Sequence, residues 1–407
     1  MAELPTRPLA IGAFALPFGF LLLPPDTDAA VRDGLLAGRL PASWPPPLRS
    51  HELARAGDVA GALAGITGAD PVSRFNRFVL DPDSTEVDAL RAEVGPELAV
   101  LVDVVAFALG RVDTAPEAGG AEGEIAALAL AAQAVAALDR GDAAAAERLL
   151  ADAIGSADPI APALAGVLHG AAGQAAKQAG APERAIEHLV AGIALLDGTD
   201  LSVGAAEQHV ELAATYQELA EERRDLLARA VHHYHSALQL ISKDDAPELF
   251  AAAHANLATA YLTMPMVEAS DQLRLGVAVG SLRSALEVYR PDTHPQQWSS
   301  VQLNLANALV YAPSTHQADN LVEAVELYEA VIGARSRDVD PLGYARVLAN
   351  QGNALAHLGM FEHARGKLVE ARFIFEEFHE YDAVTSVRGV LDEIARQTTL
   401  AAAGSAP

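Results

Sequence analysis

Three asparagines, Asn256, Asn304 and Asn350, each stand one residue before the Leu or Gln that opens a recurring pattern in the second half of this 407-residue chain. Asn307 and Asn353 follow three residues later, where the earlier occurrence has Thr259. Residues three apart on a helix share a face, so on helices these side chains form parallel rows. A carboxamide donates and accepts at once, which suits a peptide backbone whose N–H and C=O groups alternate. The competing role is local, because many side-chain hydrogen bonds only satisfy a neighbouring helix. Tyr311, Arg346 and His357 fall near the same rows by spacing and add an aromatic surface, a cation for a carboxylate and an imidazole. These nine residues are the candidate peptide-binding set.

Other chemistry finds less. In His232-His233-Tyr234-His235 the first and last histidines lie i, i+3 on one helical face. Two imidazoles do not complete a zinc site, and no His-Glu-x-x-His motif supplies the rest. No metal and no cofactor are therefore expected. A Gly-x-Ser-x-Gly nucleophile elbow and a phosphate-binding glycine loop are both missing from the sequence. Gly119-Gly120-x-x-Gly123 sits among acidic residues, the wrong charge for phosphate. Carboxylate pairs such as Glu221-Glu222 and Asp244-Asp245 read as helix-end partners of the backbone dipole. A non-catalytic protein is the expectation, with an enzyme as the remote alternative.

Composition narrows the partners. Acidic residues number 54 against 28 basic ones, a formal charge of −26, which repels a phosphate backbone or an anionic membrane. A protein or peptide partner is expected, not nucleic acid, and self-association into a homo-oligomer is compatible with the same features. With no cysteine, disulfides and thiolate metal sites are excluded. Hydrophobic residues make up 51% but aromatics only 5%, alanine filling the difference, which favours closely packed helices over sheet.

Residues 9–23, LAIGAFALPFGFLLL, are apolar but shorter than the about 20 residues of a membrane-spanning helix, and Pro17 and Gly19 interrupt them. Glu3 beside Arg7 and a poor cleavage site argue against a secretory signal. The expectation is an N-terminal strap packed on the body of the protein or on a partner, in a cytoplasmic chain without an integral membrane span.

The elements that must position the asparagine rows come from an internal repeat. Ala146-Leu150-Ala153, Ala185-Leu189-Gly192, Ala230-Tyr234-Ala237, Ala278-Leu282-Ala285, Ala324-Tyr328-Val331 and Ala364-Leu368-Ala371 share one small–bulky–small spacing. Their leading alanines lie 39, 45, 48, 46 and 40 residues apart. Each is preceded by a helix carrying small residues at its middle: Leu212-Ala213-x-x-Tyr216, Leu257-Ala258-x-x-Tyr261, Leu305-Ala306-x-x-Leu309 and Gln351-Gly352-x-x-Leu355, the last followed by Gly359 at a turn. The small residue lets the two helices of a pair approach, and the bulky ones fill the gap to the next pair. One pair cannot bury its own face, so stacking is obligatory.

On these residues the chain resembles the tetratricopeptide repeat family, as a divergent array with elongated middle repeats. His209, His254, Gln302 and Leu348 stand where the family has an early Trp. The resemblance implies an all-α, right-handed α-solenoid of helical hairpins with a C-terminal capping helix, the first helices lining a concave groove that holds partner peptides. It also implies that the two-carboxylate clamp of chaperone adaptors is missing, because Ala255, Leu303 and Ala349 occupy its basic positions. The expected organisation is an apolar strap and Pro-rich segment over 1–46, a degenerate helical region over 47–115, six repeats over 122–378, a capping helix over 379–397 and a disordered tail over 398–407. Within 47–115, Ser50–Ile66 is expected as a helix–turn–helix about Ala56-Gly57-Asp58, and Pro96–Leu109 as an apolar helix. Asp113–Gly123 is the expected linker. The functional expectation is an interaction scaffold or adaptor. An assembly or maturation accessory for a bacterial enzyme complex, shielding an apolar client surface, is the alternative.

Overall fold

The computed structural model describes residues 21–220, 223, 225–264, 271–312 and 317–404. Apart from an isolated bridge at Leu22, every regular element among them is helical, so the protein is all-α, an array of helical hairpins. Contacts divide the chain into two compact units, one up to Leu219 with Gln239–Ile241 added, the other Ala220–Leu238 and Ser242 onward.

The first unit begins with α1 (Ala29–Leu36), α2 (Arg49–Arg55), α3 (Val59–Gly65), α4 (Pro71–Leu80), α5 (Val87–Glu93) and α6 (Pro96–Ala108). The α2–α3 turn is the expected one. Gly57 takes a left-handed φ of 82°, and the Asp58 carboxylate accepts the Gly61 N–H at the start of α3. α1 and α4 have no counterpart among the elements expected from the sequence. Then come α7 (Gly123–Asp139), α8 (Ala143–Ala157), α9 (Pro162–Gln178), α10 (Pro182–Leu196) and α11 (Ser202–Leu219). Each packs on its chain neighbour.

The segment expected as a linker is fastened down. Gln133 of α7 donates to the carbonyl of Pro116 at 2.8 Å, and Ala118 and Ala121 pack against one cluster that joins Leu98 and Leu101 of α6 to Ile125 and Ala129 of α7. The boundary placed near residue 115 thus lies inside a compact unit.

The second unit holds α12 (Leu226–Leu240), α13 (Pro247–Thr263), α14 (Asp271–Leu286), α15 (Pro295–Tyr311), α16 (Gln317–Ala334), α17 (Pro341–His357), α18 (Phe361–Glu377) and α19 (Tyr381–Gly404). From α13 onward each helix packs on the next, and the alternate helices α13, α15, α17 and α19 also touch side by side. Proline opens α13, α15 and α17, where the missing N–H costs nothing and the fixed φ suits the first turn. α13 ends at Thr263 and α15 at Tyr311, ahead of Pro265 and Pro313 in the sequence. Of the stretches that follow them only Met264 and Ala312 are described before α14 and α16 begin, and Glu221-Glu222 lies outside the described residues.

All eighteen residues of the small–bulky–small pattern are buried. A Cβ on Gly173 would stand 2.8 Å from Leu189 Cγ, and one on Gly352 2.7 Å from Leu368 Cγ. The small residue of the first helix and the bulky residue of the second are therefore in direct contact, which is why glycine is needed at these two positions. The last helix seals the array with Val384, Val387 and Ile394 turned inward, and it continues past the expected end. Residues 398–404 of the tail, expected to be disordered, are its final turns. No helix among the described residues is long and apolar enough to cross a membrane.

Of the apolar run 9–23, only Leu21, Leu22 and Leu23 are described, and all three are buried in the first unit. Leu21 and Leu22 join the cluster built on Phe75, Phe78 and Leu101, while Leu23 packs with Leu35, Leu48 and Ala163.

Candidate peptide-binding face

The nine candidates all lie in the second unit, on α13, α15 and α17, and the side-by-side contact of these helices sets their rows next to one another. The six row residues, Asn256, Thr259, Asn304, Asn307, Asn350 and Asn353, are half-buried, whereas Tyr311, Arg346 and His357 are exposed. Such partial burial is what a groove wall requires, because the side chain is held yet one edge stays wet.

Hydrogen bonding divides the rows. Asn307 Oδ1 accepts from the Tyr328 hydroxyl of α16 at 2.6 Å and from Asn350 Nδ2 of α17 at 3.0 Å. One carbonyl oxygen thus ties three helices together. Tyr328 is 1% exposed, and burial pushes its phenol well above the usual range, so it is a permanent donor. Thr259 turns back onto its own helix, donating to the Ala255 carbonyl at 3.0 Å. Among the described residues Asn256, Asn304 and Asn353 make no side-chain hydrogen bond, and Arg346 has no ion pair.

At one end of the face Asn353 and His357, one turn apart on α17, line a cavity of about 290 Å³. Phe361 of α18 and Val390 and Ile394 of α19 give it apolar walls, and Glu393 lines it as well. The space is sufficient for one large side chain, with amide and imidazole groups beside it.

No family model matches the sequence, and no curated protein matches it. Solved structures with similarity are the MamA protein (16% identity, TM-score 0.38, 53% of this chain and 94% of that one), the apo form of RapI (13%, 0.42, 66% and 97%) and a Rap protein complexed with Competence and Sporulation Factor (12%, 0.41, 86% and 96%). With scores this low, the fold class rests on the hairpin pairing itself.

The histidines suspected of metal chemistry are otherwise engaged. His235 Nε2 lies 2.9 Å from the Tyr261 hydroxyl, His232 and His233 meet edge to face, and Tyr234 is buried at 1% exposure in the repeat core. Among the described residues no group of three or more His, Asp or Glu is placed to hold a metal ion.

A second amide site escaped the reading of the sequence. Asn76 on α4 and His51 on α2, 4% and 3% exposed, both hold the backbone of Leu22. The signal was available: Asp70-Pro71 is a helix start, and Val72, Phe75, Phe78 and Val79 follow at helical spacing. It has no repeat partner, so the periodicity that marks the later helices does not reveal it.

Proposed function

We propose that this protein is a non-catalytic interaction scaffold that binds an extended partner segment along the α13–α15–α17 face. The observation that carries the reading is the set of unspent polar groups there. Asn256, Asn304 and Asn353 keep both amide functions available, and Arg346, in a chain of charge −26, stays without a carboxylate beside the same row. A peptide backbone would pair with the amides, an acidic group of the partner would meet Arg346, and one bulky side chain would enter the cavity of Asn353, His357 and Phe361. Asn307 and Asn350 contribute by holding the helices in register, since their amides are bonded to Tyr328 and to each other. Tyr311, 69% exposed at the end of α15, offers a rim contact. The accessory alternative would need the apolar segment 9–23 to be exposed for a client. Its last three residues are buried in the first unit, and the rest lie outside the described residues.

The test is affinity capture from the source organism with tagged wild-type protein and with the triple variant Asn304→Ala, Asn353→Ala, Arg346→Ala, followed by titration of the captured partner. A stoichiometric partner that binds the triple variant at least ten-fold more weakly, at unchanged melting temperature, supports the reading. A partner held equally well by both proteins overturns it.

A further inference from the structure

The Leu22 backbone is held in an unusual way for a chain segment inside a protein. Core segments normally satisfy their N–H and C=O groups within secondary structure. Here a single carboxamide bonds both the N–H and the C=O of Leu22, a residue that also carries an isolated β-bridge. The Leu22 N–H donates to Asn76 Oδ1 at 2.8 Å, and Asn76 Nδ2 donates to the Leu22 carbonyl at 2.8 Å. That carbonyl takes a second hydrogen bond from His51 Nε2 at 3.0 Å. Accepting nothing but a proton donor, it fixes His51 as the Nε2–H tautomer, with Nδ1 buried and unpartnered. A carboxamide that both donates to and accepts from one residue reproduces the pairing a neighbouring strand would give. It recognises backbone and not sequence, while apolar side chains on either side supply selectivity.

The surroundings fit that description. Leu21 and Leu22 sink among Phe75, Phe78 and Leu101, and Leu23 enters a separate cluster beside Leu35 and Leu48. Immediately afterwards the chain emerges at the surface. Pro25, Asp26 and Asp28 are exposed, in a turn closed by the Thr27 N–H on the Pro24 carbonyl, before α1 begins. Leu21–Leu23 is therefore a short extended segment held by side chains of α2 and α4 and by a bridge at Leu22, and it continues into an exposed turn.

We propose that the α2–α4 cleft is a docking site for an extended, leucine-rich partner segment, filled in cis by Leu21–Leu23, and that such a partner enters by displacing them. This site is independent of the α13–α15–α17 face and survives the failure of that reading. A short tether presents the internal segment at an effective concentration on the order of millimolar. A partner present at micromolar levels is excluded until the internal segment is released or bound elsewhere.

The test severs the tether. A protease site is inserted between Pro25 and Asp26, the purified full chain is cut, and a fluorescein-labelled peptide of residues 21–26 on a solubilising glycol linker is titrated against cut and intact protein by fluorescence polarisation. The expected result is exchange into the cut protein with an apparent affinity at least 100-fold above that for the intact chain. Asn76→Asp, which keeps the shape but removes the amide donor, should weaken peptide binding to the cut protein at least ten-fold. Circular dichroism establishes that each protein is folded. Loss of helical signal on cutting, absence of exchange into a folded cut protein, or equal binding to the Asn76→Asp variant would each overturn the proposal, because the leucines would then be ordinary core.

Discussion

Replacing Asn307 by alanine should destabilise the second unit far more than replacing Asn304, although the two asparagines sit three residues apart on one helix face. Asn307 Oδ1 accepts from the Tyr328 hydroxyl at 2.6 Å and from Asn350 Nδ2 at 3.0 Å. Truncation leaves the hydroxyl of a residue that is 1% exposed without that acceptor, a loss of about 1–3 kcal/mol. The half-buried Asn350 loses a weaker bond of about 1 kcal/mol, part of which water restores. Together Asn307→Ala should cost about 2–4 kcal/mol, whereas Asn304→Ala, which breaks no described hydrogen bond, should cost less than about 1 kcal/mol. The decisive assay is a double-mutant cycle with Tyr328→Phe, which removes the hydroxyl and keeps the ring. Urea unfolding of the four proteins should show a coupling of about 1–2 kcal/mol. Hydrogen exchange of α15–α17 peptides localises the loss if the two units unfold separately. Equal costs for Asn307→Ala in the Tyr and Phe backgrounds would refute the argument, since the hydroxyl would then not depend on that carbonyl.

Acidification should weaken the fold from about pH 6.5 downward. Burial lowers the pKa of His51, His169, His188 and His254 below the ordinary 6.5, so the folded state holds these rings neutral while the unfolded chain protonates. Their contribution is complete above the unfolded pKa and is lost as the pH falls beneath it. His51 alone gives a slope of at most about 1.4 kcal/mol per pH unit, and a flat melting temperature between pH 7.5 and 5.5 would contradict this. His379 takes a φ of 62° at the α18–α19 turn, where Gly359 occupies the equivalent turn with 74°. His379→Gly should therefore stabilise the protein by roughly 0.5–1 kcal/mol, read as a raised denaturation midpoint. Gly352→Ala sets a Cβ 2.7 Å from Leu368 Cγ and 3.2 Å from the Ala364 carbonyl, and should cost about 1–3 kcal/mol. Gly366→Ala on exposed α18 meets nothing within 4 Å and should gain roughly 0.5–1 kcal/mol.

The helical hairpins were legible because their signal is repeated. Ala185-Leu189-Gly192 and Ala364-Leu368-Ala371 are lone triplets of common residues, but six of them at similar spacing identify stacked pairs, and the stacking buries them all. Two of the turns were legible too, since Gly57 and Gly359 supply the left-handed φ that ends a helix. Two things were not. The end of α19 escaped because Thr398 and Thr399 are weak helix formers, although the following Ala401-Ala402-Ala403 favours continuation. The division of labour among the asparagines escaped because spacing places Asn304 and Asn307 on one face without saying which one reaches a buried hydroxyl. That depends on where Tyr328 of a different helix stands, and no local pattern encodes it.

The same first-helix positions are spent differently in the two units. Counting from the Leu212 and Gln351 motif positions, Glu207 and Glu211 of α11 stand where α17 has Arg346 and Asn350. In the first unit these carboxylates line a cavity of about 210 Å³ with Val167 and Gln174 of α9. Burial and the neighbouring Glu211 push the Glu207 carboxyl above its usual range, and Lys177 offsets part of the charge at 2.8 Å from Glu218 and 3.9 Å from Glu211. Beside this cavity the chain's own N-terminal stretch packs on the helices, with Val31, Leu35, Leu40 and Trp44 against Ala163, Val167 and Ala205. It is pinned by the Asp200 N–H on the Gly38 carbonyl at 2.8 Å and by the Leu40 N–H on the Asp200 carboxylate at 2.6 Å. A face that is acidic, with the N-terminal stretch packed beside it, would repel the acidic partner that Arg346 favours. Swapping the two characters is the corresponding experiment. Arg346→Glu should abolish binding at the α17 face, while Glu207→Arg should leave it unchanged; a loss of binding in the second variant would place the partner on the first unit instead.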